Sequence, residues 1–158
     1  MAIRCTSKAI IVHDGNILLN RCRYPDGSLY YDLPGGGQRI YETMEAALIR
    51  EVQEETGYTV RLLRFAGAAE EIYTSQFMQE KYPEYTHRIL HLFVAELTDV
   101  PLVAPCEKDL GMEKSVWLPL KYAEQQTINP EGIAGMLRRI VENGESVYLG
   151  SKMIHDFE

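Results

Sequence analysis

The sequence predicts an α/β layered domain with a mixed β-sheet, and three observations point there. Two β-branched apolar runs face each other across an Asp-Gly turn near the start of the chain. A stretch free of Gly and Pro, rich in Ala and Glu, follows a glycine triplet. Further extended runs come after it and a second helical pattern closes the chain, so strands lie on both sides of a helix.

A chain of 158 residues, 46% hydrophobic and 25% charged, has the size and composition of one domain, 1–158, with a single core. The longest apolar runs, such as Ala9-Ile10-Ile11-Val12, are too short to span a bilayer, and Met1-Ala2-Ile3-Arg4-Cys5 lacks a secretory h-region. A cytoplasmic protein without membrane partners is expected. Cys5, Cys22 and Cys106 form no Cys-x-x-Cys pair and read as reduced packing residues. The net charge of −7 argues against long nucleic acid as a partner. A small phosphorylated ligand remains open if cations bridge the two anions.

Lys8 to His13 and Ile17 to Cys22 form the opening hairpin around His13-Asp14-Gly15-Asn16. Pro25-Asp26-Gly27-Ser28 makes a second turn into a short strand from Leu29 to Leu33, stopped by Pro34. Gly35-Gly36-Gly37 then reads as a loop with wide backbone freedom. Thr43 to Thr56 reads as a helix, with Met44, Leu48 and Val52 as its apolar stripe and Gly57 at C′. Thr59 to Tyr73 is extended with a break near Gly67, and Ser75 to Tyr85, interrupted by Pro83, reads as a loop. Thr86 to Thr98 makes a long strand, apolar on both faces. Val116-Trp117-Leu118 is another strand, and Pro130 to Asn143 reads as a C-terminal helix followed by Gly144.

The chemistry concentrates between Gly36 and Tyr58. Gly36 is followed after five residues by Glu42, and after seven more by Arg50-Glu51-Val52-Gln53-Glu54-Glu55-Thr56-Gly57-Tyr58. Seven specified positions meet by chance in a chain this long with a probability on the order of 10⁻⁶. At about 100° per residue from Met44, Glu54 falls near ~280°, Glu51 near ~340° and Glu55 near ~20°. This acidic arc overlaps the apolar stripe, where a merely solubilising set would face away from it. Carboxylates packed together beside a core either protonate or recruit cations, and hard oxygen ligands suit Mg²⁺ or Mn²⁺. Arg50 and Glu54, four apart, can pair, and Glu42 can reach the same arginine; a favourable charge near a helix N-terminus explains Glu42 equally well.

This spacing resembles the Nudix hydrolase signature: Gly36, Glu42, Arg50, Glu51, Glu54, Glu55 and Gly57 all match, Val52 takes the first aliphatic position, and Leu33-Pro34-Gly35-Gly36-Gly37 is similar to the usual lead-in. The last position, ordinarily a bulky aliphatic, is Tyr58. The resemblance implies a Nudix-like α/β/α sandwich and Mg²⁺- or Mn²⁺-dependent hydrolysis of a diphosphate in a nucleoside diphosphate linked to another moiety. The substrate is then a small nucleotide-type diphosphate: a triphosphate, nucleotide sugar, ADP-ribose or dinucleotide.

By the same resemblance Glu51, Glu54 and Glu55 are metal ligands and the Gly35 carbonyl is a further one. Arg50 and Glu42 orient them, and Glu54 is the first choice of general base, with Glu96, Glu107 and Glu113 as later candidates. Phe77, Tyr82 and Tyr85 could stack a base, and Arg21 and Arg23 could meet phosphate, with loop anchoring and a solvated pair as the equal alternatives. His87 and His91, four apart on a strand, stand about 13 Å from one another, too far for one metal. A nucleotide-sensing or scaffold module without turnover is the alternative function, and domains of this kind commonly pair as homodimers.

Overall fold

The computed structural model describes residues 2–155. β1 (Arg4–His13) and β2 (Asn16–Arg23) form the expected antiparallel hairpin, with Val12 opposite Ile17. Asp14 and Gly15 hold φ of 50° and 76° at its tip, the conformation for which Asp-Gly is suited. β3 (Leu29–Asp32) pairs with β2. β4 (Gly35–Gly37) is a strand, not a loop: it pairs antiparallel with β1 from Thr6 to Lys8.

α1 (Met44–Thr56) is capped by the Thr43 hydroxyl, which accepts from the Ala46 amide at 3.1 Å. It ends at Gly57 in the left-handed region. β5 (Val60–Tyr73) bulges between Phe65 and Gly67, where the sequence showed a break. Residues 75–85, read as a loop, fold as α2 (Gln76–Lys81), capped by Ser75, and a 3₁₀ turn at Pro83–Tyr85. Ser75 three residues before an accessible amide is a cap signal that Pro83 obscured.

β6 (His87–Leu97) lies between β1, to which it is parallel, and β5, to which it is antiparallel. β7 (Met112–Pro119) pairs with β2, and α3 (Leu120–Ala123) and the short β8 (Ile128–Asn129) follow. The C-terminal helix is much shorter than Pro130 to Asn143: a 3₁₀ turn at Ala134–Met136 runs into α4 (Leu137–Val141). Gly132, at φ 94°, breaks a right-handed helix there. β9 (Val147–Ile154), absent from the sequence reading, adds a parallel edge strand to β5.

The sheet is therefore mixed, with central order β8-β3-β2-β1-β6-β5-β9. α1 covers one face, where Leu48 and Val52 pack on Ala9, Ile11, Leu18 and Phe93. α3 and α4 cover the other, where Ala123, Leu137 and Ile140 pack on Ile10, Ile17, Leu19 and Leu92. Alternation along β1 and β2 sends neighbouring side chains into the two cores, which makes the α/β/α layering. One stripe residue differs from expectation, since Met44 is 40% exposed and Ala47 is buried in its place. No helix among the described residues is long and apolar enough to cross a membrane.

Candidate active site

α1 carries Glu55 into the core together with Leu48 and Val52, leaving it 1% exposed. Its Oε2 accepts from Asn20 Nδ2 at 2.8 Å and from the Gly35 amide at 2.9 Å. Its Oε1 is buried and has no hydrogen-bond partner among the described residues. Burial pushes the carboxyl well above its ordinary range; the Lys8 ammonium opposes this and Asp109 reinforces it. A buried carboxylate oxygen without a donor is costly, and a hard cation satisfies it.

Glu51 and Glu54 project from the same helix toward the loop before β7. The Cys106 and Glu107 amides donate to the Glu54 carbonyl at 2.9 and 3.0 Å, and the Val103 amide donates to the Gly57 carbonyl at 3.0 Å. This strapping delivers Glu107, and one carboxylate oxygen each of Glu51, Glu54 and Glu107 lies within 4.8 Å of the others. A hydrogen bond shared with Glu54 raises the Glu107 carboxyl, helped by partial burial and the charges of Glu54 and Glu51. Of the three later candidates, Glu107 is the one brought here. Glu96 pairs with exposed Arg61, and Glu113 pairs with Arg21 and Arg23.

Arg50 holds the acids apart and in place. Its Nε and Nη2 take the two oxygens of Glu42 at 2.7 and 3.0 Å, and its Nη1 reaches Glu51 at 2.8 Å and Glu54 at 3.1 Å. Nη2 also donates to the Gly37 carbonyl at 3.0 Å, which ties the helix to β4. Glu42 is held down to about 2 by the Arg50 hydrogen bonds, with the Arg39 amide adding to the effect. Glu42 binds Arg50 and accepts from the Arg39 amide at 2.9 Å in the turn before the helix.

The glycines of β4 are required by what packs against them. A Cβ on Gly36 would come within 2.5 Å of Glu51 Oε2. The Gly35 carbonyl, expected as a metal ligand, accepts from Lys8 Nζ at 3.1 Å. The same ammonium binds the Leu33 carbonyl at 3.1 Å and Asp32 at 3.3 Å. Burial pulls the Lys8 amine down, but Asp32, Glu55 and Asp109 outweigh it and hold it above its ordinary value. Lys8 and Asn20 escaped the sequence reading, because Lys8 opens the first run and Asn20 stands beside Arg21 near the end of the second.

A NUDIX domain profile matches residues 4–140. The chain belongs to the Nudix family of hydrolases. Among solved structures it is similar to a NUDIX hydrolase from Nitrosomonas europaea, with a TM-score of 0.66 and 17% identity over 94% of both chains. A MutT NUDIX hydrolase from Burkholderia pseudomallei is 27% identical, with a TM-score of 0.58 over 85% of this chain and 96% of its own. An ADP-ribose pyrophosphatase from Streptococcus suis is 18% identical, with a TM-score of 0.58 over 95% and 98% of the two chains. No curated protein matches closely enough to stand as a relative.

The remaining expected residues of this Nudix hydrolase lie apart from the carboxylates. Arg21 and Arg23 project on one face of β2, as alternation requires, and both pair with Glu113, at 3.2 and 2.6 Å. Glu113 and Glu55 both line a cavity of about 400 Å³ walled by Leu18, Tyr58, Pro105 and Trp117. Phe77 and Tyr82 meet edge to face on α2 under Lys81, and Tyr85 stacks against Arg4. His87 pairs with Glu70 and His91 Nδ1 meets the Thr6 carbonyl, so neither joins the acids. Cys5, Cys22 and Cys106 are free thiols.

The residues present fit a hard divalent cation. Three carboxylates converge, a fourth beside them has a buried oxygen without a donor, and no softer sulfur or imidazole donor stands among them.

Proposed function

We propose that this single domain is a metal-dependent pyrophosphohydrolase. It cleaves a diphosphate in a nucleoside diphosphate linked to another moiety, with Mg²⁺ or Mn²⁺ as cofactor. The observation that carries the reading is the convergence of Glu51, Glu54 and Glu107 beside Glu55, whose Oε1 is buried without a donor. The Nudix match and the hydrolase likeness support it, and the similar Streptococcus suis protein, an ADP-ribose pyrophosphatase, acts on a substrate of the proposed kind.

Divalent cations bound here would neutralise the diphosphate, acidify water and stabilise the leaving oxygen. Glu51, Glu54, Glu55 and Glu107 would hold them. Arg50 fixes the Glu51 and Glu54 oxygens, and Glu42 fixes Arg50 through two hydrogen bonds. Lys8 holds the Gly35 carbonyl, and the Gly35 amide donates to Glu55. Glu54 takes the proton of the attacking water and becomes neutral, which relieves its repulsion with the neighbouring Glu107 carboxylate.

The test is release of phosphate or nucleoside monophosphate, with Mg²⁺ and with Mn²⁺, from triphosphates, nucleotide sugars, ADP-ribose and dinucleotides. Turnover of at least one class, abolished by chelation, is expected. Tight binding without turnover of any class would leave a sensing module in place of an enzyme.

A further inference from the structure

Gly37 is the position of the glycine strand whose missing side chain is replaced by a cation. A Cβ there would overlap Nη2 and Cζ of Arg4 and come within 2.8 Å of its Nε. Three atoms of one planar group at such similar range mean that the guanidinium lies flat on the glycine. The Tyr85 ring covers it, with Arg4 Cζ 4.7 Å from the ring centroid. Between backbone and ring the plane is fixed, and its N–H edge is the part left to make contacts.

That edge has no acceptor. Among the described residues Arg4 makes no hydrogen bond and has no carboxylate partner, whereas half-buried Arg21, Arg50 and Arg88 all pair with glutamates. A chain of net charge −7 offers acids in excess, so a guanidinium seated in a slot and left unpaired stands out. A cleft of about 290 Å³ lined by Ala2, Ile3, Arg4, Pro83 and Glu84 opens beside it, and Glu84 forms no ion pair with Arg4.

Arg4 is linked to the acids through Gly37 and Arg50. The Gly37 carbonyl accepts from Arg50, which binds Glu51 and Glu54. β4 pairs with β1 alone among the described strands, and on its other edge the Gly35 amide meets Glu55 and the Gly37 carbonyl meets Arg50. We infer that Arg4 binds a phosphoryl oxyanion of the substrate, the one distal to the carboxylate cluster, through this N–H edge. The planar fork of an arginine matches phosphate geometry. The assignment of that oxyanion to a diphosphate rests on the function proposed above.

The test compares wild type, Arg4→Ala and Arg4→Lys in calorimetric titrations with inorganic pyrophosphate in saturating Mg²⁺, and with Mn²⁺ alone. Arg4→Ala is expected to weaken pyrophosphate binding about tenfold or more, with Mn²⁺ affinity unchanged. Arg4→Lys, which keeps the charge and loses the fork, recovers part of the loss and serves if the alanine variant does not fold. For any substrate that turns over, KM rises and the kcat at saturation holds. Wild-type pyrophosphate affinity in Arg4→Ala overturns the inference, as does parallel loss of Mn²⁺ binding, which would make Arg4 a prop of the carboxylate cluster. Failure of the function itself reads differently: wild type then turns over nothing, while the pyrophosphate titrations still decide the role of Arg4.

Discussion

The backbone carbonyl of Glu54 accepts the amide of Glu107 at 3.0 Å, while one carboxylate oxygen of each side chain lies within 4.8 Å of the other at the acidic cluster. One residue thus supplies a carboxylate and also fastens the loop that supplies another. Helix α1 alone cannot gather its acids on one point, because successive side chains splay around its axis. The strapped loop closes the ring from outside.

Glu107→Gln keeps the loop fastened through the backbone and removes one charge. Divalent affinity is expected to fall about 10- to 100-fold, the range in which supporting groups of metal sites act. Titration of free Mn²⁺ by electron paramagnetic resonance measures this directly. Unchanged affinity would exclude the Glu107 carboxylate from the donor set.

Glu55→Gln separates stability from activity. Burial raises the folded carboxyl above its ordinary 4.5, so the metal-free native state binds a proton that the unfolded chain gives up more readily. The stability this contributes is complete below 4.5 and is lost as pH rises through the raised value. Denaturant unfolding of the metal-free protein should show wild type weakening as pH rises across that window. The glutamine variant should show a shallower slope and equal or greater stability at neutral pH, together with loss of most activity. A steeper slope in the variant, or full activity, counts against this placement of Glu55.

The acids of α1 were legible because helical geometry fixes where residues three and four apart point, and Arg50 and Glu42 followed from the same spacing. Glu107 was legible only as one of three candidate acids. Its position depends on main-chain bonds from residues 103, 106 and 107 to the end of α1, which no local pattern encodes. Lys8 sits in a run that reads as ordinary buried strand, and its partners at Asp32, Leu33 and Gly35 are more than twenty residues away. β9 was missed because an edge strand with exposed Met153 and Tyr148 and a Gly150 at φ 81° carries little apolar alternation.

The glycine strand offers a contrast between two neighbours. Gly35→Ala places a Cβ against the Ser7 backbone carbonyl at φ 132°, where neither strand can give way. It should destabilise the fold by about 1–3 kcal/mol or more, read as a lower denaturant midpoint. The nearest atoms that a Cβ on Gly36 would meet belong to the carboxylate of Glu51, a side-chain end that can move. Gly36→Ala should therefore fold with near wild-type stability and lose divalent affinity. Equal destabilisation by both changes would show that Gly36 serves the sheet and not the placement of Glu51.

Arg50→Lys tests whether the guanidinium acts as a clamp or as a charge. The fork contacts Glu42, Glu51, Glu54 and the Gly37 carbonyl at once, and a single ammonium cannot reproduce that set. Divalent affinity and kcat should fall about 10- to 100-fold with the charge count unchanged. Acid unfolding gives an independent reading. Glu42 is held near 2, below its ordinary 4.5, so its pairing stabilises the fold above 4.5 and that stability disappears as pH falls through about 2. With a weaker partner the folded value rises toward 4.5, and the acid-unfolding midpoint followed by circular dichroism should move to higher pH. A variant with the wild-type midpoint and wild-type kcat would show that charge alone suffices at position 50.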